Sequence, residues 1–199
     1  INPSWEAVRS LHGRRIGGHL VVARQLPTEF AASLRQLKAA LRELKPTIML
    51  GVGQAGGRSQ LSLERVAINL QEARMPDNAG AQPIDAPVIA GGPAAYFTTL
   101  PVKAMFSAMQ SAGVPAELSF TAGSYVCNAA FFSLMHLLAT HHQQVRGGFI
   151  HIPYLPRQAA THAGAPCMEL GTLSKGIGIA IEAALLNQAD LNFSAGQTH

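Results

Sequence analysis

Hydrophobic and polar positions alternate along the chain in two rhythms. EFAASLRQLKAALREL (29–44) puts Phe30, Leu34, Leu37, Leu41 and Leu44 on one face at the helical period, with Thr28 ahead of it as candidate N-cap and Pro46 as its stop. TIMLGVG (47–53) is a continuous apolar run breaking into a glycine-rich turn, the pattern of a buried strand. HLVVARQL (19–26) is β-branched and suits a strand, as does a short stretch around residues 65–70. Helices are expected over 3–12, with Pro3 in the first turn, and over 101–112, 127–141 and 169–187. Strands are expected over 116–120 and 148–154. Strands that alternate with helices predict a largely parallel twisted sheet covered on both faces, an α/β three-layer αβα sandwich.

Two segments break the rhythm. ARMPDNAGAQPIDAPVIAGGPA (73–94) is a long stretch dense in Pro, Gly, Asp and Asn, and such loops inside compact domains usually serve a function. The tail DLNFSAGQTH (190–199) is polar and is expected to fray. No repeat or change of composition marks a boundary, so the 199 residues read as a single domain.

Composition narrows the partners. The net charge of +4 comes from cations scattered along the chain, without a basic stripe interleaved with aromatics, which argues against nucleic acid. No apolar run reaches the roughly 18 residues of a membrane helix, and INPSWEAVRS has no secretory character, so the expectation is a cytoplasmic protein away from membranes. The two cysteines, Cys127 and Cys167, lie in neither CxxC nor His-rich spacing, which gives no metal site and no disulfide framework. GVGQAGGR lacks the spacing of a phosphate or dinucleotide loop, and no cofactor is expected. A nucleoside phosphorylase-like activity on such a layout would need the phosphate site that is missing.

Candidate chemistry centres on SYVCNAAFFSLMH (124–136), which sets Cys127 at a helix start, where free backbone N–H groups and the helix dipole stabilise a thiolate and can receive an oxyanion. Position alone does not separate a nucleophile from a small buried core residue. His151 interrupts the apolar strand GFIHIP near its C-terminal end, the edge at which open α/β sheets bind ligands, although a buried histidine satisfied by a carbonyl looks the same in sequence. A thiol nucleophile needs a base, and the base a third group to orient it. Among the few acids, Glu64 in SLERVAINL is preferred, with Glu72 and Asp77 behind it. Gln54, offering both a donor and an acceptor, complements a lactam. His136, His141 and His142 do not share one helix face and read as solvated, and Cys167 reads as a surface-loop thiol.

The blocks GQAGGRSQLSLERVAIN, ARMPDNAG, GGPAAYFTTLP, AGSYVCNAAFFSLMH and GGFIHIPYLPRQ, in this order, resemble the signature blocks of pyroglutamyl peptidase I (pyrrolidone-carboxylate peptidase), a cytosolic cysteine peptidase family. The resemblance implies removal of N-terminal pyroglutamyl residues from peptides through a thioacyl-enzyme, by a triad of Cys127, His151 and Glu64. It implies further that Gln54 and Tyr125 hold the lactam ring, that Arg74 assists the oxyanion, and that Thr28 and Asn2 line the pocket. A homo-oligomer, tetramer or dimer, is implied as well. Tyr125 stands where the family usually has Phe, adding a hydroxyl that needs a partner. The family also has a strand and a Gly- and Phe-rich turn ahead of NPSW, which this sequence lacks, and the alternative reading is therefore a non-catalytic binding protein on the same scaffold.

Overall fold

The computed structural model describes residues 2–195. In chain order it contains α1 (Pro3–Arg9), β1 (Arg15–Ile16), β2 (His19–Leu20), α2 (Phe30–Leu44), β3 (Ile48–Gln54), β4 (Leu61–Glu64), β5 (Val66–Ile68), β6 (Ala95–Phe97), α3 (Val102–Ser111), β7 (Ala116–Ser119), α4 (Val126–His141), β8 (Arg146–Ile152), α5 (Pro156–Ala159) and α6 (Leu170–Leu186).

The central sheet has the order β3-β8-β4-β7. β3 runs parallel to β8 and β4 parallel to β7, while β4 and β8 are antiparallel. The sheet is thus mixed and mostly parallel, and helices cover both faces. On one side Leu61, Leu63, Ile150 and Ile152 pack with Met105, Met109, Leu173 and Ile177 of α3 and α6. On the other, Phe149 packs with Leu37 and Leu41 of α2 and with Phe131, Leu134 and Leu138 of α4. The three-layer αβα sandwich expected from the alternation is the observed fold.

Side-chain alternation along β8 then assigns His151 to a layer. Residues two apart on a strand share a face, so Phe149 and His151 point to the α2/α4 side while Ile150 and Ile152 point away. Antiparallel register sets Ser62 opposite His151 and Glu64 opposite Phe149. Glu64 is therefore the diagonal neighbour of His151 on one face, a relation between distant segments that the sequence does not reveal.

Several expected elements differ. Of 19–26 only His19–Leu20 is strand, paired with β1 across Gly17 and Gly18, whose φ values of 55 and 83° suit a two-residue hairpin turn. Beyond it Val21 bonds through its N–H to the Arg14 carbonyl, and the Ala23 N–H donates to His12 Nδ1, so a β-branched run lies along its own N-terminal segment for want of a sheet partner. The strand expected around 65–70 is β5, which pairs with β6 outside the central sheet, while β4 just ahead of it is the strand that joins the central sheet.

Thr28 does not cap α2. Glu29 is the N-cap and makes no side-chain bond, and the Phe30 N–H donates instead to Asp77 Oδ2 at 2.8 Å. The C-terminal stop is as expected, with Lys45 left-handed at φ 43° before Pro46. The tail is docked as far as it is described. Asp190 accepts from the Lys103 and Ala104 N–H groups at the start of α3, and Lys103 Nζ donates to the Phe193 carbonyl. Residues 196–199, also expected to fray, lie outside the described residues.

Candidate active site

Cys127 is the second residue of α4, half-buried, at the end where unpaired backbone N–H groups project. The turn before it is tied down on two sides. The Glu72 N–H donates to the Ser124 carbonyl at 3.0 Å, and Ser124 Oγ returns a bond to the Glu72 carbonyl at 2.9 Å. Next to the cysteine, Asn128 is fully buried. Its Oδ1 accepts the Ile68 N–H and its Nδ2 donates to the Ile68 and Leu70 carbonyls, at 2.9–3.0 Å. The first turn of α4 is thereby fastened to β5.

β3 supplies space. Gly51 and Gly53 sit beside Phe149 and His151 in register. A β-carbon on Gly51 would fall 2.4 Å from the Phe149 ring, and one on Gly53 would fall 2.9 Å from both Cys127 Sγ and Phe149 Cζ. Glycine at 53 lets the sulfur lie against the strand.

His151 is 3% exposed and bonds through Nδ1 to Glu64 Oε1 at 2.7 Å, while Glu64 is fully buried. The Cys127 side chain lies close enough to act on the same ring. Burial depresses the imidazole pKa, but hydrogen bonds to Cys127 and Glu64, with the charges of both, outweigh it and raise the pKa to about 9. The centre consequently favours the protonated form of His151.

The remaining sequence candidates are distributed around this centre. Gln54 ends β3, next to Gly53, and its Oε1 accepts from Gln158 Nε2 at 3.3 Å. Tyr125 precedes Cys127 by two residues. Its ring meets Phe30 edge-on at 5.5 Å and its hydroxyl donates to the Pro76 carbonyl at 3.0 Å, so the extra oxygen has its partner. Thr28 is exposed and gives its carbonyl to the Asn78 N–H, which places it against the same 76–81 segment. Arg74 is exposed and, among the described residues, makes no hydrogen bond or ion pair. Asn2 caps α1, its Oδ1 accepting from the Ser4 and Trp5 N–H groups.

The two reserve acids are engaged elsewhere. Glu72 accepts the Asp85 N–H, and Asp77 accepts the N–H groups of Phe30, Ala79 and Ala81. His136 is not simply solvated: it is half-buried and bonds through Nδ1 with Tyr96 Oη at 2.9 Å. Cys167 is exposed. Among the described residues no group of three His, Cys, Asp or Glu could hold a metal ion, and no helix is long and apolar enough to cross a membrane.

Three residues at the centre carry no signal that spacing alone could have raised: Gly53, Asn128 and Arg58. Arg58 follows the glycine-rich turn and reaches Glu64 Oε1 at 3.2 Å. The last two could have been suspected only from their nearness in sequence to Cys127 and to the turn.

The sequence profile described as pyroglutamyl peptidase matches residues 1–187. The chain is 56% identical to the pyrrolidone-carboxylate peptidase of Cupriavidus taiwanensis, over 100% of this chain and 93% of that protein. It is 48% identical to that of Bacillus thuringiensis, again over 100% and 93%. The crystal structure of pyroglutamyl peptidase I from Bacillus amyloliquefaciens superposes with a TM-score of 0.95 at 46% identity, covering 98% of this chain and 92% of that one. The pyrrolidone carboxyl peptidase of Thermococcus litoralis does so with a TM-score of 0.93 at 33% identity, covering 97% and 92%. With a match of this extent in both sequence and fold, the chain belongs to the pyroglutamyl peptidase family.

Proposed function

We propose that the protein is a cysteine exopeptidase that removes an N-terminal pyroglutamyl (5-oxoproline) residue from peptides. The observation that carries this reading is the buried pair of His151 Nδ1 and Glu64 Oε1 at 2.7 Å, at the C-terminal end of β8, with the Cys127 sulfur at the N-terminus of α4 packed against Gly53, the register neighbour of His151.

The Cys127 thiolate attacks the pyroglutamyl carbonyl carbon, and the carbonyl π electrons move to oxygen. Backbone N–H groups of the first turn of α4, with Arg74, receive that oxyanion, each donor commonly contributing about 3 kcal/mol. When the C–N bond breaks, His151 gives its proton to the departing amine, leaving a thioester on Cys127. Water, deprotonated by the now neutral His151, attacks the thioester and releases pyroglutamate, and the imidazolium–thiolate pair is restored. Glu64 holds Nδ1 and offsets the positive charge of the ring throughout.

A pyroglutamyl group has no free amine, so its pocket needs no buried anion. Gln54 presents an amide to the lactam, Tyr125 an aromatic face, and Thr28 and Asn2 complete the walls. The protein acts as one domain in the cytoplasm, as a homo-oligomer, tetramer or dimer. The alternative of a non-catalytic binder draws no support from relatives matched along the whole of this chain. Release of a chromophore from a pyroglutamyl amide tests the choice. Turnover by the wild type and none by Cys127→Ser with unchanged circular dichroism is expected, whereas equal turnover by the two would remove Cys127 from the chemistry.

A further inference from the structure

Glu64 is in an unusual position for a carboxylate that only orients a histidine. One of its oxygens is crowded and the other is bare. Oε1 takes the His151 Nδ1 contact at 2.7 Å and also the Arg58 Nη1 contact at 3.2 Å, while Oε2 is buried with no hydrogen-bond partner among the described residues. A free carboxylate would rotate to share its donors between both oxygens. The guanidinium is what holds this one still, because it is itself anchored: Arg58 Nη2 donates to the Thr121 carbonyl at 2.8 Å.

We propose that Arg58 is a positioning residue that fixes the Glu64 carboxylate toward His151 and sets the pH range in which the Cys127 centre works. The inference rests on the reading of Cys127, His151 and Glu64 as the reacting set, and adds a fourth charge that this reading does not contain.

The charged and titratable groups around the centre are few. β4 contributes Glu64, β8 His151, α4 Cys127, the turn before β4 Arg58, and β7 Glu117. Glu117 Oε1 lies 3.6 Å from Arg58 Nη1 and accepts from Ser62 Oγ at 2.6 Å. The next cation in sequence, Arg65, lies over the Phe120 ring and is drawn away from the centre. A line of ionisable groups therefore runs Glu117, Arg58, Glu64, His151, Cys127, from a partly exposed carboxylate to the sulfur.

The sign of the effect follows from Coulomb's law. With Arg58 in place, loss of the His151 proton leaves an anionic pair that a neighbouring cation compensates. Without Arg58 the same loss leaves an uncompensated buried anion, so His151 holds its proton to higher pH. Protonation at the acid end becomes easier for the same reason. Both limbs of the kcat/KM profile should then move upward. Arg58 is 22% exposed, which screens it in part, and a displacement of about one pH unit is the expected size for a nearby opposite charge.

The test is an NMR titration of the His151 ring in isotopically labelled full-length protein, which reads the proton affinity whether or not the enzyme turns over, alongside the pH dependence of kcat/KM. Arg58→Gln should raise the His151 pKa and both kinetic limbs by about one pH unit. Arg58→Lys, which keeps the charge and loses the fork, should leave the limbs near their wild-type positions with a lower plateau. Glu117→Gln should move the His151 pKa slightly downward, because Arg58 then acts on Glu64 undivided, and it serves where Arg58→Gln does not fold. A His151 titration unmoved by Arg58→Gln or Glu117→Gln, or moved as far by Arg58→Lys as by Arg58→Gln, overturns the proposal. Wild-type turnover surviving in Cys127→Ser would instead overturn the catalytic reading and leave the NMR result standing.

Discussion

Gly53 and Cys127 face each other so closely that a single β-carbon on the glycine would stand 2.9 Å from the sulfur. The contact brings together β3 and the first turn of α4, which are 74 residues apart in sequence by the difference of the two numbers. Gly53→Ala should therefore displace the thiol and lower kcat/KM by about 100-fold, the scale of a misplacement near 1 Å, while circular dichroism changes little. Wild-type kcat/KM in this variant would show that the sulfur is not held against the strand.

The pH dependence of stability follows from His151. Its folded-state pKa, about 9, lies above the usual value of 6.5. A raised pKa contributes stability that is fully present below pH 6.5 and is lost as the pH rises through 9. The wild type should lose unfolding free energy across that window in urea titrations. Glu64→Gln, which removes one of the anions that raise the pKa, should flatten the slope, and an equal slope in both proteins would contradict the assignment.

Asn128 answers three backbone groups at once, two on Ile68 and one on Leu70. Asn128→Ala leaves these buried groups without partners and is expected to lower the unfolding free energy by about 3 kcal/mol. The start of α4 would also lose its attachment to β5, so kcat should fall more than KM rises. A loss under about 0.5 kcal/mol would mean that water replaces the amide without cost.

Tyr125 ties the segment that follows Arg74 to the helix that carries Cys127. Its phenol pKa is raised by burial and then by the charges of Asp77 and Cys127, which keeps the hydroxyl protonated and able to donate to the Pro76 carbonyl. Tyr125→Phe should keep the fold and the edge-on contact with Phe30, and speed amide hydrogen exchange over residues 74–81 by about fivefold, the equivalent of one hydrogen bond worth about 1 kcal/mol. Unchanged exchange there would remove the tether.

The elements that were legible in sequence were those whose signal is local. The stripe of α2 and its Pro46 stop, the buried run of β3, and the helix start at Cys127 all follow from the residues themselves. The β-branched run 19–26 and the supposed cap at Thr28 misled for one reason: a strand requires a partner and the N–H groups at a helix start require acceptors, and both come from any part of the chain. Here the acceptor was Asp77, and the partner of Val21 was the irregular backbone of Gly13 and Arg14, not a strand of the central sheet.

The sequence by itself determined the alternation of strand and helix, the three-layer class, and a short set of candidates, Cys127, His151 and a few acids, for a nucleophile, a base and its carboxylate, because periodicity and residue chemistry are properties of neighbours along the chain. Only the tertiary structure decided which carboxylate meets His151, that Arg58 shares it, and that Gly53 admits the sulfur. Those facts depend on an antiparallel register between β4 and β8 and on close packing across the sheet, and register is fixed by the burial of whole faces that no single segment contains.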